Sequence, residues 1–406
     1  MMHKVITQNL AITIFAKSLS FLLLLYVAKE LSKDSYGMFI YVTMILSYLP
    51  LLHFGSLNGF AIEYPKVIEQ DEKDVYAYFC NYAFFSNLIQ ILIAFIIFFL
   101  NIQVSKFTVF IVFLNFIIAK YIDNVRIYLS SHLEFYKVNL IKLFIEIISP
   151  IITFVMFWYL RNIDALLISP FLVNLCLLCL ILGYLKIKVI SPNAKLWGNI
   201  KSIYKAGILI YFTWALDLIF QGLDRVLISQ FYPMNKLAEY GFASNCAMTI
   251  NLLSVSFIAP YSQLLFREVA QKNWINAHAL IGSTNSKLHM LILFAALAGI
   301  IFYPIVIMNF VVKYGQTYLL FIVLIFPSIL LCVNNMQIYY MTSTHQTNIL
   351  IKYQLIVLII NITLNIVNIS FRVDIIYIAL STTITLLIYY YLLNNYVFKD
   401  LKRKMV

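Results

Sequence analysis

Apolar runs of about 20 residues, each long enough to cross a bilayer as a helix, recur about a dozen times along this chain and leave almost no sequence for anything else. Only 11% of its 406 residues are charged and 63% are hydrophobic, whereas soluble domains carry about 25% charged residues. The reading is an all-α polytopic membrane protein. A lipid-embedded backbone has to satisfy its own hydrogen bonds, which the helix does within a single segment.

The runs place spans near residues 11–28, 36–57, 76–100, 107–130, 138–160 and 163–185, then near 206–230, 237–262, 288–312, 316–341, 351–371 and 374–397. Lys17 lies inside the first run, and no small-residue cleavage site follows it. That run is therefore expected to be a retained helix and not a signal peptide. The most hydrophilic connection, 186–205, divides two sets of six, so the expected organisation is an N-terminal lobe over 1–185, a linker over 186–205 and a C-terminal lobe over 206–406. With the N-terminus cytoplasmic, inner loops and tails hold seventeen of the 29 Lys and Arg, outer loops seven, and the spans five. This asymmetry puts both termini inside by the positive-inside rule. It also explains the net charge of +12 as topology; no basic patch sits on a soluble module, so no nucleic-acid partner is expected.

Several readings are negative. The five cysteines all fall in spans without a metal-ligand spacing, and Cys176 with Cys179 reads as small packing residues in an apolar helix. Asp71, Glu72 and Asp74 read as a solvated loop, and the six histidines are scattered. No metal or cofactor is expected, and no catalytic constellation can be assembled.

An internal repeat is visible. Asp34-Ser35-Tyr36-Gly37 and Glu239-Tyr240-Gly241 both set a Tyr-Gly after an acidic residue, at an offset of 204. The polar stripe Asn9, Thr13, Lys17, Ser20 maps under the same offset onto Thr213, Asp217, Gln221, Asp224, each following one helix face. Two such halves with even span counts are parallel repeats, an organisation used by transporters.

The functional candidates are the ionisable residues inside spans: Lys17, Lys120, Asp123, Arg126, Lys142, Glu146, Asp217, Asp224 and Arg225. Each costs roughly 2.5–3.5 kcal/mol at a lipid-facing helix centre, so they are expected to face a wet interior or one another. Lys120, Arg126, Lys142, Lys17 and Arg225 suit phosphate oxygens. Asp217, Asp224, Asp123 and Glu146 are ion-coupling candidates, and Asn361 and Asn365, with Gln354 and Asn368 on the same span, suit sugar hydroxyls. Plainer roles stand beside these: Arg126 and Arg225 snorkelling to the interface, Lys142 with Glu146 as a packing ion pair, and the amides as interhelical glue.

The run Gly222-Leu223-Asp224-Arg225-Val226-Leu227-Ile228, then Tyr240-Gly241-Phe242-Ala243-Ser244 and Ala259-Pro260, together with the opening Leu31-Ser32-Lys33-Asp34-Ser35-Tyr36-Gly37, resembles polysaccharide flippases of Wzx type, in the multidrug/oligosaccharidyl-lipid/polysaccharide exporter superfamily. The resemblance implies two six-helix bundles working by alternating access in a bacterial inner membrane. Its implied cargo is an undecaprenyl-diphosphate-linked oligosaccharide of O-antigen or capsular type, and its implied partners are the polymerase and glycosyltransferases of the same pathway. The near balance of intramembrane charge departs from the strongly cationic lumen such transporters are described as having. The two extra C-terminal helices of lipid II flippases have no counterpart here, which points away from a peptidoglycan precursor as cargo. Two other classes remain open: a multidrug-type cation antiporter using Asp217 and Asp224, and a membrane-embedded polymerase or glycosyltransferase, against which the short outer loops argue.

Overall fold

The computed structural model describes residues 2–60, 106–132, 134–183 and 197–405. The expected span at 76–100, the acidic residues 71–74, Cys80 and most of the expected linker lie outside the described residues, as do the side chains of Asn9, Thr13, Ala259 and Pro260. All regular structure among the described residues is helical: α1 Met2–Glu30, α2 Lys33–Tyr48, α3 Lys106–Ser131, α4 Phe135–Leu143, α5 Ser149–Leu160, α6 Ile163–Gly183, α7 Trp197–Phe231, α8 Met234–Ala270, α9 Trp274–Phe310, α10 Tyr318–Ser343, α11 Thr347–Ser370 and α12 Ile375–Met405. Nine helical stretches among the described residues are long and apolar enough to cross a membrane.

The chain divides into two compact units, residues 1–45 with 213–406, and residues 46–212. This grouping differs from the sequence division at 186–205, and the physical reason is local. The turn after α1 is fastened to the later helices: Lys33 Nζ donates to Glu239 Oε1 at 2.6 Å, and Lys313 Nζ donates to the carbonyl oxygens of Lys29, at 2.9 Å, and of Leu31. A Cβ on Gly37 would collide with the carbonyl of Met234, and one on Gly241 with the side chain of Ile40. The two Tyr-Gly motifs of the repeat therefore meet at a single crossing of α2 and α8, where the missing side chains let the helices approach.

In the first unit the helices are inverted relative to a soluble bundle. On α11 the buried residues are Leu350, Gln354, Val357, Asn361 and Asn365, a stripe at steps of three and four, while Leu355, Ile356, Ile359, Ile366 and Val367 are exposed. On α12, Ser381, Thr382, Thr385 and Tyr389 are buried while Ile384, Leu387 and Tyr391 are exposed. Amides and hydroxyls inside with aliphatic side chains outside is the arrangement a bilayer selects, because lipid solvates the aliphatic face and the protein has to satisfy the polar one. The chain is a multi-pass membrane protein.

The second unit packs around Phe60, Ile122, Val125, Leu129, Ile141, Leu177, Ile181 and Ile203. Polar pairs join its helices: Thr108 Oγ1 donates to Asp164 Oδ1 at 2.6 Å, Asn174 Nδ2 to Asn115 Oδ1 at 2.8 Å, and Ser169 Oγ to Thr153 Oγ1 at 2.8 Å. Two spans expected as continuous helices are not. Residues 36–57 break after Tyr48 into a 3-10 turn, Leu49–His53, with Pro50 at its start. Left-handed Phe54 (φ 46°) and Gly55 (φ 84°) follow. Proline removes a helical donor, and the Tyr211 hydroxyl donates to the carbonyl of Leu51 at 3.0 Å, supplying one of the bonds the break exposes. The expected 138–160 span contains a π-turn at Phe144–Ile148. Helix α7 begins at Trp197, inside the stretch expected as linker.

Candidate functional site

Asp224 is the centre of the densest polar cluster in the first unit. It is 5% exposed, and three helices besides its own supply donors. The Tyr240 hydroxyl of α8 donates to Oδ2; Thr382 Oγ1 of α12 lies 2.9 Å from Oδ1 and 2.7 Å from Oδ2; Asn365 Nδ2 of α11 lies 3.4 Å from Oδ1. Behind them, Asn365 Nδ2 donates to Asn361 Oδ1 at 2.9 Å, and Asn361 Nδ2 to the hydroxyls of Thr382 and Thr385 at 3.2 and 3.0 Å. The Oδ1 of Asn365 is buried without a hydrogen-bond partner. Arg225, adjacent in sequence, turns toward α8 and donates to Ser244 Oγ at 3.0 Å and Asn245 Oδ1 at 2.8 Å.

Two turns earlier on α7, Asp217 sits in a different setting. Gln221 Nε2 donates to its Oδ2 at 2.7 Å, which follows from the i, i+4 geometry of one helix face. The carboxylate borders a cavity of about 10 Å³ lined also by Leu216, Phe220, Gln354, Leu386 and Tyr389, a volume that matches about one water. Gln354 Nε2 is committed to the Thr213 carbonyl at 3.1 Å. Asp224 is thus saturated with donors, while Asp217 opens onto space. Lys17, half-buried on α1, belongs to the same unit.

Two of the three cationic candidates of the second unit, Lys120 and Arg126, lie on α3. Lys120 Nζ is 3.5 Å from Asp123 Oδ2, and Arg126 Nη1 is 3.4 Å from Asp123 Oδ1. One carboxylate is therefore shared by two cations at long range. Lys120 and Asn124 are buried, at 7% and 1% exposure, and Asp123 and Arg126 are partly exposed. His53 is buried beside this group and feels the charge of Lys120. Its Nδ1 accepts from the Gly55 amide at 2.9 Å, which leaves Nε2 carrying the proton in the neutral ring. Lys142 closes α4 and Glu146 occupies the π-turn; the Oε2 of Glu146 is buried without a partner.

The structure therefore brings Asp224, Asn361 and Asn365 together, links Lys120, Asp123 and Arg126, and sets Asp217 apart. Sequence reasoning missed Thr382, Thr385, Asn245, Tyr389 and His53, and it used Tyr240 and Ser244 only as marks of the repeat or of the family resemblance. The signal for the threonines was present in Ser381-Thr382-Thr383-Ile384-Thr385, four hydroxyls inside an apolar span. Cys176 and Cys179 are exposed on α6 and unpaired, not packing residues as expected. Among the described residues no group of three or more His, Cys, Asp or Glu could hold a metal ion.

A family model described as "Polysaccharide biosynthesis protein" matches residues 26–312, well over half of the chain. No curated protein sequence matches. Among solved structures, the chain is similar to the inward-facing conformation of a multidrug resistance MATE family transporter of the MOP superfamily, with a TM-score of 0.75 at 12% identity, covering 95% of this chain and 96% of the other. The outward-facing conformation of such a transporter gives a TM-score of 0.69 at 11% identity over 99% and 96% of the two chains. The lipid II flippase MurJ in an inward closed conformation gives 0.74 at 16% identity over 97% and 89%. At identities this low the likeness shows a shared fold and nothing further.

Proposed function

Because the chain belongs to the polysaccharide biosynthesis protein family and has the fold of MOP-superfamily transporters, we propose that it is a flippase. Its cargo on this reading is a polyprenyl-diphosphate-linked oligosaccharide, of O-antigen or capsular type, moved across the bacterial inner membrane by alternating access between two six-helix bundles, with both termini cytoplasmic. Similarity to the lipid II flippase, whose cargo is also a lipid-linked saccharide, supports this class of cargo.

The observation that carries the reading is the α3 cluster, in which Lys120 and Arg126 share one carboxylate at 3.5 and 3.4 Å. A membrane-embedded pair of cations with a single weakly held counter-ion retains donor capacity for an anion. In the proposed cycle these two and Lys142 meet the diphosphate; Lys17 and Arg225 are the cationic candidates of the first unit. Asn361 and Asn365, the candidates for sugar hydroxyls, are fully buried and spent on each other, Asp224, Thr382 and Thr385, the plainer role of interhelical glue, and the prenyl tail stays in lipid. Asp217, which borders a water-sized cavity, is the foremost coupling residue; Asp224, Asp123 and Glu146 are secondary. No bond is made or broken in the cargo, and polymerase and glycosyltransferases act before and after.

The test is flipping of a fluorescent undecaprenyl-diphosphate-linked oligosaccharide in proteoliposomes. Lys120→Gln with Arg126→Gln is expected to reduce the rate at least about tenfold with unchanged insertion. Wild-type rates in that double variant overturn the reading. A drug-dependent cation flux with no glycan-lipid movement by the wild-type protein would instead establish the antiporter alternative, for which the Asp217 cavity is the favouring observation.

A further inference from the structure

The two ends of the first unit carry very different charge. At one end, four turns come together: Lys33 pairs with Glu239, Lys313 reaches the α1 terminus, and the Tyr232 hydroxyl donates to the Val373 carbonyl at 2.7 Å. There Lys29, Lys33, Lys236, Lys313 and Arg372 are nearly balanced by Glu30, Asp34, Glu239 and Asp374, and both oxygens of Glu239 are taken by lysines.

The opposite end is built around the last turns of α12. Gln346 Nε2, just before α11, donates to Asp400 Oδ2 at 3.1 Å; the Tyr340 hydroxyl of α10 donates to the same oxygen at 2.6 Å. Lys404 Nζ, 2.7 Å from Asp400, lies 4.7 Å from the ring centroid of Trp274 on α9, and His278 stacks edge-on against Phe398 at 5.8 Å. These contacts lock the ends of four helices into one surface. On it Arg267, Lys272, Lys352, Lys399, Lys402 and Arg403 are all exposed. The acids here are Glu268 and Asp400, neither exposed, and Asp400 is already consumed by three donors.

Helix length says where this surface lies. At 1.5 Å per residue the 31 residues of α12 and the 37 of α9 extend about 46 and 56 Å, against a hydrocarbon thickness of about 30 Å. The excess places these basic turns in and just beyond the headgroup layer, with the partly exposed Trp274 among them, as aromatic residues sit at membrane interfaces.

We propose that this end of the first unit is a binding surface for anionic phospholipid headgroups of the leaflet it faces. Six exposed cations, with no exposed carboxylate side chain among the described residues of this end, offer phosphodiesters a field that surrounding water and salt otherwise have to neutralise. Clustered basic residues next to spans act on anionic lipid in this way. The surface goes beyond the transport reading and does not depend on it.

The experiment uses the full chain in bilayers of phosphatidylcholine and phosphatidylglycerol that contain no polyprenyl diphosphate. Spin-labelled lipids report the relative association of the two headgroups with the protein. Wild type is expected to prefer phosphatidylglycerol roughly three- to fivefold at low salt, with the preference lost at high salt. Lys399→Gln with Lys402→Gln and Arg403→Gln should remove most of it, whereas Lys29→Gln with Arg372→Gln at the opposite end should not. No preference in the wild type overturns the proposal without any variant, which covers the case that the triple variant inserts wrongly. Equal loss in both variants also overturns it, as does selective retention of added polyprenyl diphosphate with no preference for phosphatidylglycerol, which would make the surface a cargo-entry site.

Discussion

The hydroxyl of Thr382 lies within hydrogen-bonding distance of both oxygens of Asp224, at 2.9 and 2.7 Å, although 158 positions separate the two residues. With Tyr240 and Asn365 it surrounds a carboxylate whose residue is only 5% exposed. A buried ion is tolerated when donors replace its hydration shell, so Asp224 ties α7, α8, α11 and α12 together. Asp217, two turns away, has one side-chain donor and a cavity. One carboxylate is built to stay in place, and the other is built with room for something to arrive.

Removing the Thr382 hydroxyl tests the anchoring role. Thr382→Val keeps the shape and withdraws a donor from both oxygens, leaving a buried charge under-satisfied. The expected cost is about 1–3 kcal/mol, read as a lower unfolding midpoint in detergent, while Thr382→Ser should remain close to wild type. Equal loss in both variants would show that the methyl packing matters and the hydrogen bond does not.

Two glycines, one in each unit, give a sharper contrast. A Cβ on Gly207 would meet the carbonyl oxygen of Gly55, and Gly55 itself sits at φ 84°, a conformation that other residues adopt at a cost. That oxygen and the backbone nitrogen of Gly59, the next atom in reach, cannot rotate away. Gly207→Ala is expected to destabilise the protein by about 2 kcal/mol or more, in the range of overpacked cores. Gly282, helical with nothing within 4 Å of its missing Cβ, should gain about 0.5–1 kcal/mol as alanine. Thermal unfolding of the two variants side by side checks this; a stabilised Gly207→Ala would mean that the α7 crossing is looser than its contacts imply.

Much of the architecture was legible because lipid imposes a simple rule. Spans such as 163–185 and 351–371 showed as apolar length, and the stripe Gln354, Asn361, Asn365 showed as helical phase. The family resemblance rested on Asp224 and Tyr240-Gly241, and the family match upholds it. What escaped was whatever depends on partners distant in sequence. Periodicity cannot show that Thr382 reaches Asp224, or that Arg225 turns to Ser244 and Asn245. The break at Pro50 was written in the residues, but an apolar run on both sides masked it. The α2 crossing at Gly37 makes residues 1–45 pack with the later helices, a tertiary outcome that chain order alone does not contain.

Asp217 and Asp224 should separate in a coupling assay. Asp217→Asn keeps the bond to Gln221 available and abolishes a charge beside open space, so uptake of lipid-linked oligosaccharide is expected to lose its dependence on an imposed proton or sodium gradient while the protein stays folded. Asp224→Asn places an amide donor against Tyr240, Thr382 and Asn365, all of them donors to that site, and should lower the unfolding midpoint first. Gradient dependence retained in Asp217→Asn would remove this residue from the coupling step.

The α3 cluster makes a prediction of opposite signs. Asp123 is the counter-ion of both Lys120 and Arg126, so a diphosphate that binds there competes with it. Replacing Asp123 by Asn removes the competitor and leaves two cations with no fixed partner. If the cluster receives the headgroup, Asp123→Asn should bind a soluble diphosphate analogue several-fold more tightly, with a steeper salt dependence, since opposite charges attract and exposed ones are screened. Lys120→Gln and Arg126→Gln should each weaken it. Turnover in Asp123→Asn is expected to fall even as binding improves, because a cargo held more tightly in its ground state is released more slowly. Isothermal titration with the analogue, together with flipping rates in proteoliposomes, reads both quantities. Weaker binding in all three variants would mean that Asp123 orients the cations and does not compete with the cargo, and unchanged binding in all three would place the diphosphate elsewhere.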